Sequence, residues 1–176
     1  MSSVLPIIKK DTIRVLVSWK CNLKCSYCCN DTLPEIRESI RPSILDELDF
    51  DQYKVVCISG GEPLLFIDRV REVCIKSKGK FIVLYTNGTK MTPQIAGDLA
   101  EWGVNAVNVG LHEPKTFHTL IRKVWDSFKG LPVSIRFHAQ DKHIELANQH
   151  PGLSFRFWRI DDCERDNEDR VVLEDV

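Results

Sequence analysis

The chain has 176 residues, of which 43% are hydrophobic and 28% are charged, and this composition excludes collagen-like, coiled-coil and wholly disordered proteins. Its 24 Lys and Arg nearly balance its 25 Asp and Glu, so the net charge of -1 indicates neither a nucleic-acid nor a membrane partner. The length predicts a single domain. Seven Cys, no secretory leader and no apolar stretch of the roughly 18 residues that a membrane span needs predict a cytoplasmic protein whose clustered thiols serve metal binding or catalysis.

Six short apolar runs predict β-strands, because each is rich in Val, Ile or Phe and is bounded by turn residues. In chain order these predicted strands are residues 12–19, 54–59, 80–86, 105–111, 132–138 and 153–159. Segments with helical spacing lie between them, at residues 43–48, 64–78, 92–102, 115–128 and 142–149. Six such units of about 29 residues predict an α/β fold with a mostly parallel sheet, either an open partial barrel or a doubly wound layer.

In both arrangements the loops that follow the strands meet at one edge of the sheet. The first of these loops contains Cys21, Cys25 and Cys28, a C-x3-C-x2-C spacing, and Cys29 follows directly. Three thiolates on one short loop can converge on a soft metal centre. Structural zinc usually takes a second pair of ligands, and none follows here. An iron-sulfur cluster with one iron that the protein does not ligate fits this spacing better.

This spacing, with Tyr27 before the third Cys, resembles the signature of radical S-adenosylmethionine (SAM) enzymes, and the loop after the second predicted strand supplies their second hallmark, GGEP at residues 60–63. The resemblance implies a 4Fe-4S cluster held by Cys21, Cys25 and Cys28. The fourth iron would bind the amino nitrogen and the carboxylate of SAM. The fold is then predicted as a partial (βα)6 TIM-like barrel with a curved, mostly parallel sheet.

The resemblance also implies contacts with the bound cofactor on successive loops. Gly60 and Gly61 would let the backbone approach the ligand closely, Glu62 would accept a hydrogen bond from an amino group, and Tyr27 would lie near the adenine. Residues at the ends of the third and fourth predicted strands are weaker candidates. The predicted cofactor-binding residues are Tyr27, Gly60, Gly61, Glu62, Thr86, Asn87 and Asn108.

Three further side chains are candidate catalytic residues. Arg136 and His138 alternate on the fifth predicted strand and share one face. If that face points inward, Arg136 can bind a carboxylate and His138 can transfer a proton; if it points outward, both are structural. Cys163 could donate a hydrogen atom, or it could be an incidental thiol. Cys57 and Cys74 lie in apolar segments and are predicted to be core thiols.

The two ends of the chain differ in charge. Residues 161–176 carry eight Asp and Glu against two Arg. We therefore predict a radical SAM core domain over residues 1–160 and an acidic C-terminal tail over residues 161–176. The tail is either a solvated end or a flap over the active site.

The resemblance finally implies a mechanism. A one-electron donor such as flavodoxin or ferredoxin reduces the cluster, and SAM is cleaved to methionine and a 5'-deoxyadenosyl radical that abstracts hydrogen from the substrate. A protein or peptide substrate is the first hypothesis, because the short chain leaves little room for substrate recognition. The alternatives are a purine or nucleotide substrate, as in 7-carboxy-7-deazaguanine synthases, and a non-catalytic module that binds the cluster.

Overall fold

A computed structural model of the chain describes residues 11–25, 28, 44–112, 114–128, 130–138, 141–150, 155–158 and 169–172. Within these ranges the backbone forms one seven-stranded sheet. The strands are β1 (Thr12–Leu16), β2 (Val55–Ser59), β3 (Phe81–Thr86), β4 (Val104–Leu111), β5 (Val133–His138), β6 (Phe155–Trp158) and β7 (Asp169–Val172). All six predicted strands are therefore present, most of them shorter than predicted by one to three residues.

The sheet order is β6-β5-β4-β3-β2-β1-β7, and every pairing is parallel. The first six strands thus lie side by side in chain order, without the reversal that marks a doubly wound sheet. Consecutive parallel strands joined by helical crossovers build a barrel wall. The prediction of a partial TIM-like barrel is confirmed.

The sheet also contains a strand that we did not predict. β7 pairs with β1, from Ile13 beside Asp169 to Leu16 beside Val172, and it lies within the segment predicted as an acidic tail. Its sequence, Asp-Arg-Val-Val, is too short and too charged for an apolar run to mark it. Because strand propensity depends strongly on tertiary context, the exposed edge of β1 can bring such a segment into a sheet. Part of the predicted tail is therefore sheet.

Five helices connect the strands in the described ranges: α1 (Ile44–Glu47), α2 (Ile67–Lys76), α3 (Pro93–Glu101), α4 (Pro114–Lys123) and α5 (Asp141–Asn148). The hydroxyl of Thr92 caps α3 by accepting a hydrogen bond from the N–H of Ile95 at 3.2 Å, as Thr92 followed by Pro93 predicts. No helix in these ranges is both long and apolar enough to cross a membrane.

The hydrophobic core lies between these helices and one face of the sheet. In β1 the alternating residues Ile13 and Val15 are fully buried in this core, and in β3 so is Leu84. Helix residues such as Val73 and Leu99 complete it from the other side. We call the opposite face of the sheet the inner face. Its buried apolar residues, Leu16, Cys57 and Val83, do not belong to the core cluster.

Candidate functional site

The cysteine loop begins where β1 ends, at the carboxyl edge of the sheet. Cys21 is exposed and Cys25 and Cys28 are partly exposed, whereas Cys57 and Cys74 are buried. A turn in which the N–H of Cys28 donates to the carbonyl of Cys25, at 3.2 Å, keeps the second and third cysteines close in the chain. None of these thiols is in a disulfide. Exposure thus separates the three predicted ligands from the two predicted core thiols.

The loop fits a soft metal centre by the chemistry of its donors: three accessible thiols on one short segment. In the described part of the chain, no three Cys, His, Asp or Glu side chains are yet gathered closely enough to hold a metal ion. Convergence of Cys21, Cys25 and Cys28 on a cluster therefore stays a prediction. Cys74 cannot substitute for them, because burial raises the pKa of its thiol to about 12.

The loop after β2 packs directly against the cysteine loop. The N–H of Gly61 donates to the carbonyl of Ser18 at 2.7 Å, and the N–H of Glu62 donates to the carbonyl of Lys20 at 2.9 Å. A Cβ atom on Gly60 would lie 2.4 Å from the Ser18 oxygen, and one on Gly61 would lie 2.2 Å from the Lys20 oxygen. Gly60 also has a φ of +141°. The close approach of the chain's own backbone thus requires both glycines, and their contact with a ligand stays a prediction.

Glu62 joins this loop to the one that follows β3. Its side chain is completely buried. One carboxylate oxygen accepts hydrogen bonds from the Thr86 hydroxyl at 2.6 Å and the Leu64 N–H at 3.0 Å, and the other accepts from the Asn87 N–H at 2.7 Å. Burial raises the pKa of Glu62, and these three hydrogen bonds oppose the rise. Both oxygens of this carboxylate accept hydrogen bonds from the protein itself, and its contact with an amino group of a ligand stays a prediction.

Asn87 then connects the third loop back to the first cysteine. Its side-chain amide donates to Asn22 Oδ1 at 3.0 Å and lies 3.8 Å from Cys21 Sγ, which also accepts from the Leu23 N–H at 3.4 Å. Thr89 completes the group, since it donates to Asn87 Oδ1 and accepts from Asn22. Asn87 is therefore brought to the cysteine loop, whereas Thr86 reaches it only through Glu62. Contact of either residue with the cofactor stays a prediction.

The inner face lies next to these loops and is polar. Asn108 of β4 is buried there and stands in register between Tyr85 and Ser134. Arg136 lies on the same face, with its guanidinium carbon 4.9 Å from the centre of the Tyr85 ring. The inward orientation is therefore the one that this residue adopts.

Sequence reasoning missed Arg14. It is only 4% exposed, and its guanidinium carbon lies 4.5 Å from the centre of the same Tyr85 ring. A lone Arg inside an otherwise apolar strand was the available signal. Tyr27, Cys29 and Cys163 lie outside the described residues, and for His138 the structure gives only its position at the end of β5.

A scan against protein-family models matches the Radical SAM superfamily over residues 15–130, from within β1 to shortly before β5. The chain belongs to the radical SAM superfamily. Enzymes of this superfamily use a 4Fe-4S cluster and SAM, and the family prediction is confirmed.

Curated relatives of this radical SAM protein are about 30% identical to it over the aligned residues. The GTP 3',8-cyclase of Acaryochloris marina is 30% identical over 129 residues, which cover 63% of the chain and 38% of the relative. A probable GTP 3',8-cyclase of Methanopyrus kandleri is 31% identical over 141 residues, which cover 70% of the chain and 43% of the relative. The chain thus spans less than half the length of these relatives.

The fold has solved counterparts as well. The structure of anSMEcpe with bound AdoMet and a peptide matches 85% of this chain and 51% of its own, with a TM-score of 0.58 and 20% identity. At this identity the likeness shows the radical SAM fold alone.

Proposed function

We propose that the protein cleaves SAM reductively at a 4Fe-4S cluster held by Cys21, Cys25 and Cys28. When bound, the cluster supplies one electron to the sulfonium of SAM, which yields methionine and a 5'-deoxyadenosyl radical able to take a hydrogen atom from a substrate. The observation that carries the proposal is the placement of accessible thiols at the carboxyl edge of a parallel sheet in a radical SAM protein.

Contacts within the chain hold the cysteine loop and the loops after β2 and β3 in one arrangement. The backbone of Gly61 and Glu62 binds the start of the cysteine loop, and the buried Glu62 carboxylate fixes the loop after β3 against it. In addition, Arg69 of α2 donates to the Val17 carbonyl at 2.6 Å, one residue after β1. Such preorganisation matters because a radical attacks whatever group lies nearest.

For the substrate we propose a nucleotide first. The support is the activity of the two curated relatives, which are a GTP 3',8-cyclase and a probable GTP 3',8-cyclase. A protein or peptide is the second candidate, favoured by the peptide in the anSMEcpe structure. Within either proposal, Tyr27 lies near the adenine of SAM and Gly60, Gly61, Asn87 and Asn108 surround the cofactor.

We further propose a one-electron donor such as flavodoxin or ferredoxin as the redox partner, and the cytoplasm as the compartment. A low-potential cluster needs an external electron for each cleavage. Accessible cysteine thiols remain reduced in that compartment.

Anaerobic reconstitution with iron and sulfide, followed by dithionite and SAM, tests the proposed chemistry. We expect 5'-deoxyadenosine in the wild-type reaction. The Cys25→Ala variant should lose the cluster absorbance and the product, whereas the matched control Cys57→Ala removes a buried thiol outside the loop and should keep both. Full iron content in Cys25→Ala, or a wild-type cluster without any 5'-deoxyadenosine, would contradict the proposal.

Deuterated GTP tests the substrate. Transfer of deuterium into 5'-deoxyadenosine would support a nucleotide. Formation of unlabelled 5'-deoxyadenosine at an unchanged rate would count against GTP and favour the peptide candidate.

A further inference from the structure

The inner face of the sheet carries two arginines near the candidate site. Strand register places every second residue of each strand on this face. At these positions in β1 to β5, Asp and Glu do not occur, and the two Arg are Arg14 and Arg136.

Two of these arginines converge on one aromatic ring. The guanidinium carbons of Arg14 and Arg136 lie 4.5 Å and 4.9 Å from the centre of the Tyr85 ring. The two cations are therefore no more than about 9.4 Å apart, the sum of these two distances. The ring attracts each of them. Because β3 lies between β1 and β5 in the sheet, an anion that reaches both guanidinium groups would bind at the edge of the Tyr85 ring.

The position of this pair relative to the three loops is equally specific. Tyr85 immediately precedes Thr86 and Asn87, which bind Glu62. At about 3.3 Å per residue along a strand, the Cα atoms of Tyr85 and Asn87 are about 7 Å apart. Asn87 in turn contacts Asn22 and Cys21 of the cysteine loop. A group bound at the arginine pair would thus lie just inside the sheet, beside the region where the radical forms.

We propose that Arg14 and Arg136 form a subsite for an anionic group of the substrate, a phosphate or a carboxylate, with Tyr85 orienting both guanidinium groups. The planar guanidinium fork matches the oxygens of either group. The inference rests on the proposed function, because it treats the inner face as the substrate's side of the barrel. It deepens that function by assigning the substrate a negative charge.

Equilibrium binding to the reconstituted enzyme tests the subsite. Calorimetry is done without reductant and with saturating SAM, so that the carboxylate of SAM already occupies its own place. Inorganic pyrophosphate is titrated in one experiment and succinate in another. We expect saturable binding of at least one; tighter binding of pyrophosphate identifies a phosphate, and tighter binding of succinate identifies a carboxylate.

Variants then locate the binding. Arg136→Gln should weaken it by roughly 10-fold to 100-fold, the loss expected when hydrogen bonds between charged groups are removed. Arg14→Lys keeps the charge but not the fork, so it should cause a smaller loss. The matched control Arg71→Gln removes one exposed positive charge from α2 and should bind like the wild type.

Several outcomes would overturn the subsite. These are no binding of either anion in the presence of saturating SAM, an unchanged affinity in Arg136→Gln, or an equal loss in Arg71→Gln. If Arg14→Lys fails to fold, Arg136→Gln decides alone, because it lies on a different strand and is less buried. No SAM is cleaved in these titrations, so a negative result leaves the 5'-deoxyadenosine test of the proposed function untouched, and the reverse also holds.

Discussion

The helix-covered core and the loops at the carboxyl edge of the sheet both contain fully buried side chains, but different forces hold them. Ile13, Val15 and Leu84 are fully buried among other apolar side chains. Glu62 is equally buried but is held by three hydrogen bonds and by backbone that approaches two glycines closely. The core stabilises the fold by burying apolar surface. The loops of the candidate site are instead held by hydrogen bonds and by close backbone contacts. Substitutions in the core should therefore lower mainly stability, whereas substitutions in the loops should also impair the binding of SAM or iron.

The largest loss of stability is expected in the core. Leu84→Ala should lower the free energy of unfolding by about 3 kcal/mol, from lost apolar contact and the cavity that remains. Urea unfolding measures this loss, and the iron content of the folded fraction should not change. Phe81→Ala, in the same strand but 52% exposed, is the control and should cost much less. Equal losses would contradict a core confined to one face.

Gly61→Ala should affect the site more than the core. The added methyl group would lie 2.2 Å from the Lys20 carbonyl oxygen, so the first two loops must separate, at a cost of roughly 1–3 kcal/mol. We expect loss of SAM binding in equilibrium dialysis beyond what the loss of stability explains. At Gly110 a Cβ has no neighbour closer than 3.6 Å, so Gly110→Ala is the stability control. Unchanged SAM binding in Gly61→Ala would contradict the idea that the contact between these two loops shapes the SAM site.

Glu62→Gln should lower stability by roughly 1–3 kcal/mol. The new NH2 group is a donor, and it must face a group that donated a hydrogen bond to the carboxylate. It should also change the pH dependence. Burial raises the pKa of Glu62 in the folded state. Between the ordinary carboxyl pKa and this raised pKa, the folded state binds a proton that the unfolded state has released, so stability falls as pH rises. Urea unfolding of cluster-free protein should show a decline with pH in the wild type that is smaller in Glu62→Gln. An identical decline in both would assign it to other groups.

Asn87→Ala should have the smallest effect on stability, below about 1 kcal/mol, since its amide is one of several polar contacts. Its effect on the cysteine loop should be larger, because it removes the bonds to Cys21 Sγ and Asn22. Partners of metal ligands typically contribute roughly 10-fold to metal affinity. Iron titration under anaerobic conditions measures this, with the exposed Asn148→Ala in α5 as control. Wild-type iron uptake by Asn87→Ala would show that the bond to sulfur has no role.

Much of the architecture was predictable from local pattern. The alternation and helical spacing of apolar residues placed six strands and five helices, and the cap at Thr92 fixed the start of α3. The cysteine spacing and the GGEP segment indicated the superfamily because each signature lies within one loop. These features depend on neighbours a few residues apart, so the sequence by itself determined them.

Tertiary structure alone decided how the loops are joined and what the inner face presents. Glu62 meets Asn87 across 25 residues, and Asn87 meets Cys21 across 66. β7 has no apolar run of its own and exists as a strand through its pairing with β1. Arg14 and Arg136 share a ring only because their strands lie in one sheet with β3. Contacts between residues so far apart leave no periodic trace in the chain, and only the register of the folded sheet brings them together.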